Sequence, residues 1–137
     1  MRRYLLDSAP LAAYLLGRKL AVDFISPWIL DQEAATSQLV YAEIIEYIRG
    51  FPNYTRHKRT LKSTLDEVHP YYLTYPILER YADIRRSLRP PFGKGLIGDV
   101  DTLIAATALE HNLTVVTVDH DFERVPGLKV MFVNLKG

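Results

Sequence analysis

The residues from Gly98 to Phe122 read GDVDTLIAATALEHNLTVVTVDHDF, and their order leaves little freedom in how they fold. Asp99, Val100 and Asp101 open an alanine-rich helix that carries Leu103, Ile104, Ala105, Ala108 and Leu109, and Asn112 suits a left-handed stop. The β-branched run from Thr114 to Val118 follows, as expected of a buried parallel strand entered from a helix. Its carboxyl end delivers Asp119, then His120 and Asp121. Ligands bind at that edge of open α/β sheets, so acids placed there are positioned for chemistry. At about 100° per residue, Asp101 shares a helix face with Ile104, Ala105 and Ala108, a face that must look inward. An acid in a first turn also complements the helix dipole, and Asp101 alone does not separate the two roles.

The rest of the chain repeats the alternation of strand and helix. Arg3 to Asp7 reads as a short strand ending in an acid, and Ser8 is the expected N-cap of a helix with Pro10 in its first turn, Leu11, Tyr14 and Leu15 inward, and Gly17 at its end. Asp7 at that junction could simply bond free helix N–H groups. Leu20 to Leu30 predicts a helix broken near Pro27, with an apolar surplus around Phe24, Trp28 and Ile29 that suits core packing or a partner. Ala34 to Thr36 reads as a second strand, and Ser37 caps a helix from Gln38 to Arg49. A polar helix is expected from Asn53 to Glu67, then a strand within Val68 to Leu73 that lies at an edge or begins after Pro70. Thr74 caps a helix with Ile77, Leu78, Tyr81, Ile84 and Leu88 inward. RPPFGKGLIG, from Arg89 to Gly98, predicts an irregular loop, and Lys129 to Val133 a last strand. This pattern argues for a single α/β domain over residues 1–137, a three-layer α/β/α sandwich around a parallel sheet.

Composition narrows the function classes. The 137 residues contain no cysteine, which excludes disulfides and thiolate metal sites. Neither an export signal nor a membrane span is legible, so a cytoplasmic protein is expected. The net charge of +1 conceals a segregation: from Arg49 to Lys94 there are ten Lys and Arg against four Asp and Glu, and elsewhere seven against twelve. Acids at strand ends with bases on intervening helices would hold a cation beside a polyanion, although basic helices are also commonly just solvated.

Within the third helix Glu43 falls among Leu39, Val40, Ile44 and Tyr47, whereas Glu46 faces water. A carboxylate facing a core costs several kcal/mol unless a counter-charge, a proton or a metal meets it. Asp7, Glu43, Asp101 and Asp119 thus form a set. His57, His69, His111 and His120 show no paired ligand spacing, and neither a phosphate loop nor a serine elbow is present.

The stretches YLLDS at Tyr4 to Ser8, TSQLVYAEI at Thr36 to Ile44, DTLIAATALEHNLTVVTVDHDF at Asp101 to Phe122 and the final strand resemble PIN-domain proteins, most closely the VapC-like toxins of toxin–antitoxin pairs. The resemblance implies a PIN-like fold and a catalytic set of Asp7, Glu43, Asp101 and Asp119, with Asp7, Asp101 and Asp119 as metal ligands. Asp121 would be a supporting ligand or a loop cap. Ser8 supports the first acid, and the chain departs from the family pattern at Ala9. Thr117 would orient a water at the metal or serve only as a β-branched strand residue.

Converging carboxylates raise one another's pKa and repel a phosphodiester, and Mg²⁺ or Mn²⁺ reverses both effects. The expected activity is metal-dependent hydrolysis of RNA by water, with Arg85, Arg86, Arg89 and Lys94 as phosphate contacts. The resemblance also implies a homodimer and an antitoxin whose tail covers the acidic pocket. The alternatives are a catalytically silent PIN-like module that binds RNA or protein, and a phosphoacceptor signalling domain, for which the usual Lys is missing.

Overall fold

Short strands separated by helices have no tight turns with which to form hairpins, so they pair in parallel through helical crossovers. The computed structural model describes residues 1–136 and contains β1 (Tyr4–Leu6), α1 (Ser8–Leu15), α2 (Lys19–Leu30), β2 (Ala34–Ser37), α3 (Gln38–Ile48), α4 (Tyr54–Thr64), β3 (His69–Tyr71), α5 (Tyr75–Leu88), α6 (Asp99–His111), β4 (Thr114–Thr117) and β5 (Lys129–Phe132). All five strands run parallel in the order β3-β2-β1-β4-β5. Leu5 pairs with Ala35 on one side and Val115 on the other. Leu5 and Leu6, on opposite faces of this central strand, are both fully buried, which requires cover on both sides. Helices α1 and α3 pack together with α2 and α4, while α5 packs along α6. The architecture is the expected α/β fold around a central parallel sheet.

Helix α6 is buried over most of its circumference, from Thr102 through Ala108 apart from half-buried Leu103, because small alanines admit close neighbours. Its buried hydroxyls are satisfied internally, Thr102 donating to the Gly98 carbonyl and Thr107 to that of Leu103, both at 2.8 Å. The helix ends as expected on Asn112, at φ 54°.

Three local expectations are corrected. The N-cap position of α1 belongs to Asp7 and not Ser8, which is the first helical residue. Helix α2 runs through Pro27 without breaking, since the proline lies on its exposed face where water can satisfy the carbonyl it leaves unpaired. Strand β3 includes Pro70 and lies at the sheet edge, the first of the two placements expected for it. Leu78 is exposed while Ile77, Ile84 and Leu88 form the buried stripe of α5. Trp28 packs inward, stacked on Tyr4 at 4.0 Å between ring centroids and against Phe24. No helix among the described residues is long and apolar enough to cross a membrane.

Candidate metal centre

From β1 the chain crosses to β2 and β3 on one side, and it returns to β4 and β5 on the other. The direction of winding therefore reverses between β1 and β4, and the carboxyl ends of those two strands flank the crevice where such sheets bind ligands. Asp7 follows β1 there, held by its backbone N–H to the Val116 carbonyl at 3.0 Å. Asp119 lies just beyond β4. One hydroxyl joins the two: Thr117 Oγ1 donates to Asp7 Oδ2 at 2.8 Å and accepts from the Asp119 N–H at 3.0 Å. Asp119 Oδ1 in turn accepts the Asp121 N–H at 2.9 Å, starting a 3₁₀ turn from His120 to Arg124 that the sequence reading did not anticipate.

The first turn of α6 brings Asp101 to the same crevice. Carboxylate oxygens of Asp101, Asp119 and Asp121 lie within 4.8 Å of one another. Asp121 is thus both a member of this cluster and the donor in the Asp119 turn. Helix α3 contributes Glu43, whose Oε1 is buried without a hydrogen-bond partner among the described residues.

Electrostatics tie the four expected acids together. Burial raises the pKa of Asp7, and the charge of Asp119 adds to the shift, against the stabilising bonds from Thr117 and the Ser8 backbone. Glu43 is raised by burial and then by the charge of Asp7, while the Ser8 hydroxyl opposes the shift. Asp101 is raised to about 7, first by burial and then by Asp7, Asp119 and Glu43. Among the described residues none of these acids, nor Asp121, pairs with a Lys, Arg or His. Clustered carboxylates without a counter-cation must take up protons or a cation, and an all-oxygen donor set suits a hard divalent ion such as Mg²⁺ or Mn²⁺. The residues fit such an ion.

Thr117 makes a contact that neither expectation for it contained, since its hydroxyl bridges Asp7 and the Asp119 backbone. The expected phosphate contacts differ among themselves. Arg85 is bound to Asp99 at 2.7 Å, an acid that also accepts the Tyr81 hydroxyl and stands apart from the cluster. Arg86, Arg89 and Lys94 are exposed, with no carboxylate partner among the described residues. Beside Glu43 a cavity of about 400 Å³ runs between α1 and α3, lined by Ala9, Ala12, Ala13, Ile44 and Arg18 among others. Ala9 therefore contributes to a groove wall.

An acid-centred crevice at the reversal point of a five-stranded parallel sheet defines an α/β protein whose clustered carboxylates could hold a cation. The chain matches the PIN domain over residues 4–128, and it belongs to that family. No curated protein sequence matches it significantly. Among solved structures it is similar to VapBC2 from Rickettsia felis bound to a DNA fragment from their promoter, at 20% identity and a TM-score of 0.82 over 96% of this chain and 98% of the other. DNA-bound VapBC from Salmonella typhimurium gives 19% and 0.82 over the same shares. VapBC-5 from Mycobacterium tuberculosis, a member of the VapBC family of toxin–antitoxin systems, gives 20% and 0.65 over 97% of this chain and 98% of that one.

Proposed function

We propose that this chain is a metal-dependent endoribonuclease and the toxin of a toxin–antitoxin pair. The observation that carries this reading is the convergence of Asp7, Glu43, Asp101 and Asp119, without a counter-cation among the described residues, at the crevice of a PIN domain. Asp101 and Asp119 would hold Mg²⁺ or Mn²⁺, with Asp7 and Asp121 alongside. When bound, the ion supplies positive charge that offsets the phosphate's own and lowers the pKa of water.

The protein's own groups do the remainder. Thr117 fixes the carboxylate of Asp7 in one orientation and keeps Asp119 in register with it. Glu43, raised in pKa and free at Oε1, is suited to accept a proton from an attacking water. Arg86, Arg89 and Lys94 would contact phosphates, and Arg85 would do so only by leaving Asp99. The groove between α1 and α3 would receive an apolar antitoxin segment that covers Glu43, in a homodimeric, cytoplasmic toxin.

Incubation of total RNA with the purified protein tests the assignment. Cleavage is expected with Mg²⁺ or Mn²⁺ and is expected to stop with EDTA. Asp7→Asn and Asp101→Asn should each lower it by more than the roughly 10–100-fold that loss of an outer-shell partner costs. Undiminished cleavage by both variants, or cleavage insensitive to EDTA, contradicts the reading.

A further inference from the structure

The loop from Arg89 to Gly98 exposes a phenylalanine on a backbone that is tied to the end of α5. Phe92 is 76% exposed. Its own N–H and that of Gly93 donate to the Arg89 carbonyl, at 3.0 and 3.1 Å, and Gly95 donates to the Leu88 carbonyl at 2.8 Å. Gly93 is pressed so closely on the end of α5 that a Cβ there would lie 2.4 Å from the Ser87 carbonyl oxygen and 2.5 Å from Leu88 Cα. No other residue fits, and the chain at the loop tip is locked to the helix below it. The far side is anchored by buried Ile97 and by the Arg124 guanidinium, which donates to the Gly95 carbonyl.

Both anchors lead to the metal centre. Ile97 and Gly98 run into α6, whose first turn carries Asp101, and Arg124 ends the 3₁₀ turn that begins after Asp119. Chain geometry limits Phe92 to at most about 26 Å from Asp101. Arg89 and Lys94 flank Phe92 closely in the chain, and Arg86, on α5, lies one turn before Arg89; all three are exposed, with no carboxylate partner among the described residues. An exposed ring alone is unremarkable on a protein surface. An exposed ring on an anchored backbone, with cations close to it in the chain, offers a π-face to a base and charge to the adjoining phosphates, the combination that binds single strands without reading their sequence.

From this juxtaposition we infer that Phe92, with Arg89 and Lys94, forms a stacking subsite for an unpaired base of the RNA, a few nucleotides from the bond cut at the acids. The inference rests on the nuclease reading above. It adds a single-stranded substrate segment and a place for it. The preformed loop lowers the ordering cost of binding, because Phe92 is already presented.

The test is binding of a short fluorescently labelled single-stranded RNA, followed by anisotropy in Mg²⁺ with Asp101→Asn as the parent so that no strand is cut. Adding Phe92→Ala should weaken binding about tenfold, Phe92→Trp should restore it, and Arg89→Ala with Lys94→Ala should reduce the salt dependence by roughly one to two counterions. Equal affinity of the parent and the Phe92→Ala form overturns the subsite and leaves the nuclease reading intact if the wild-type chain still cleaves. A Phe92→Ala form that loses self-association at unchanged RNA affinity assigns the ring to a contact between copies, and displacement of RNA by poly-glutamate as readily as by RNA assigns it to an acidic protein segment. Either result overturns the proposal. A parent that binds no RNA, together with a wild-type chain that cleaves none, removes both readings.

Discussion

At the scale of single residues, Thr117 is the most exposed to test. Among the described residues its hydroxyl alone hydrogen-bonds to both Asp7 and the backbone of Asp119, and Val115, Val116 and Thr117 itself are fully buried. Thr117→Val keeps the shape but leaves a buried carboxylate oxygen and an N–H unpaired, a cost of about 1–3 kcal/mol in stability. Cleavage should fall roughly 10–100-fold, and Thr117→Ser should recover most of it. Activity unchanged in the valine form would show that the bridge does not position Asp7. Glu43 and Asp101 were legible as unusual because each fell on an apolar helix face. Thr117 was legible as a candidate but its bridge was not, since its hydroxyl partner lies 110 residues away. Arg85 shows the same limit, because nothing in a helix sequence reveals that Asp99 has already taken its charge.

Elements were easier to read than their ends. Helix α6 and strand β4 carry strong signals, a run of small and apolar residues closed by Asn112 and then a β-branched segment. Asn112 holds φ at 54°, where a Cβ without a local polar partner costs about 1–2 kcal/mol. Asn112→Ala should therefore lower stability by about that amount in chemical denaturation, and Asn112→Gly should not; equal losses in both would place the cost elsewhere. Pro27 misled for a physical reason, since a proline on an exposed helix face can be carried through when water satisfies the carbonyl it orphans. The 3₁₀ turn from His120 to Arg124 is too short for periodicity to register. It is organised by Asp119 accepting from the Asp121 N–H, a bond that competes with no regular structure.

For the whole molecule, the alternation of elements made the parallel sandwich legible, but strand order was not, because nothing in the sequence states on which side of β1 the chain returns. That return brings residues 7 and 119 together, and with them a cost that depends on pH. The folded pKa of Asp101 is about 7 against 3.8 for a free aspartate, and those of Asp7 and Glu43 are also raised. Between those values the folded chain retains protons that the unfolded chain has lost, so stability falls as pH rises from about 4 to about 7 and levels off above. Without metal, Tm should decline across that window, Asp101→Asn should flatten the decline, and Mg²⁺ should raise Tm more at pH 7.5 than at pH 5. A Tm that rises over the same interval contradicts the clustering of charge.

Calorimetric titration of Mn²⁺ into the metal-free protein at neutral pH tests most directly whether these acids form one cation site. Saturable binding accompanied by proton release is predicted, with both signals lost in Asp101→Asn while the circular dichroism of the fold is retained. Binding of equal strength in that variant, or no binding by the wild-type chain, would contradict the account.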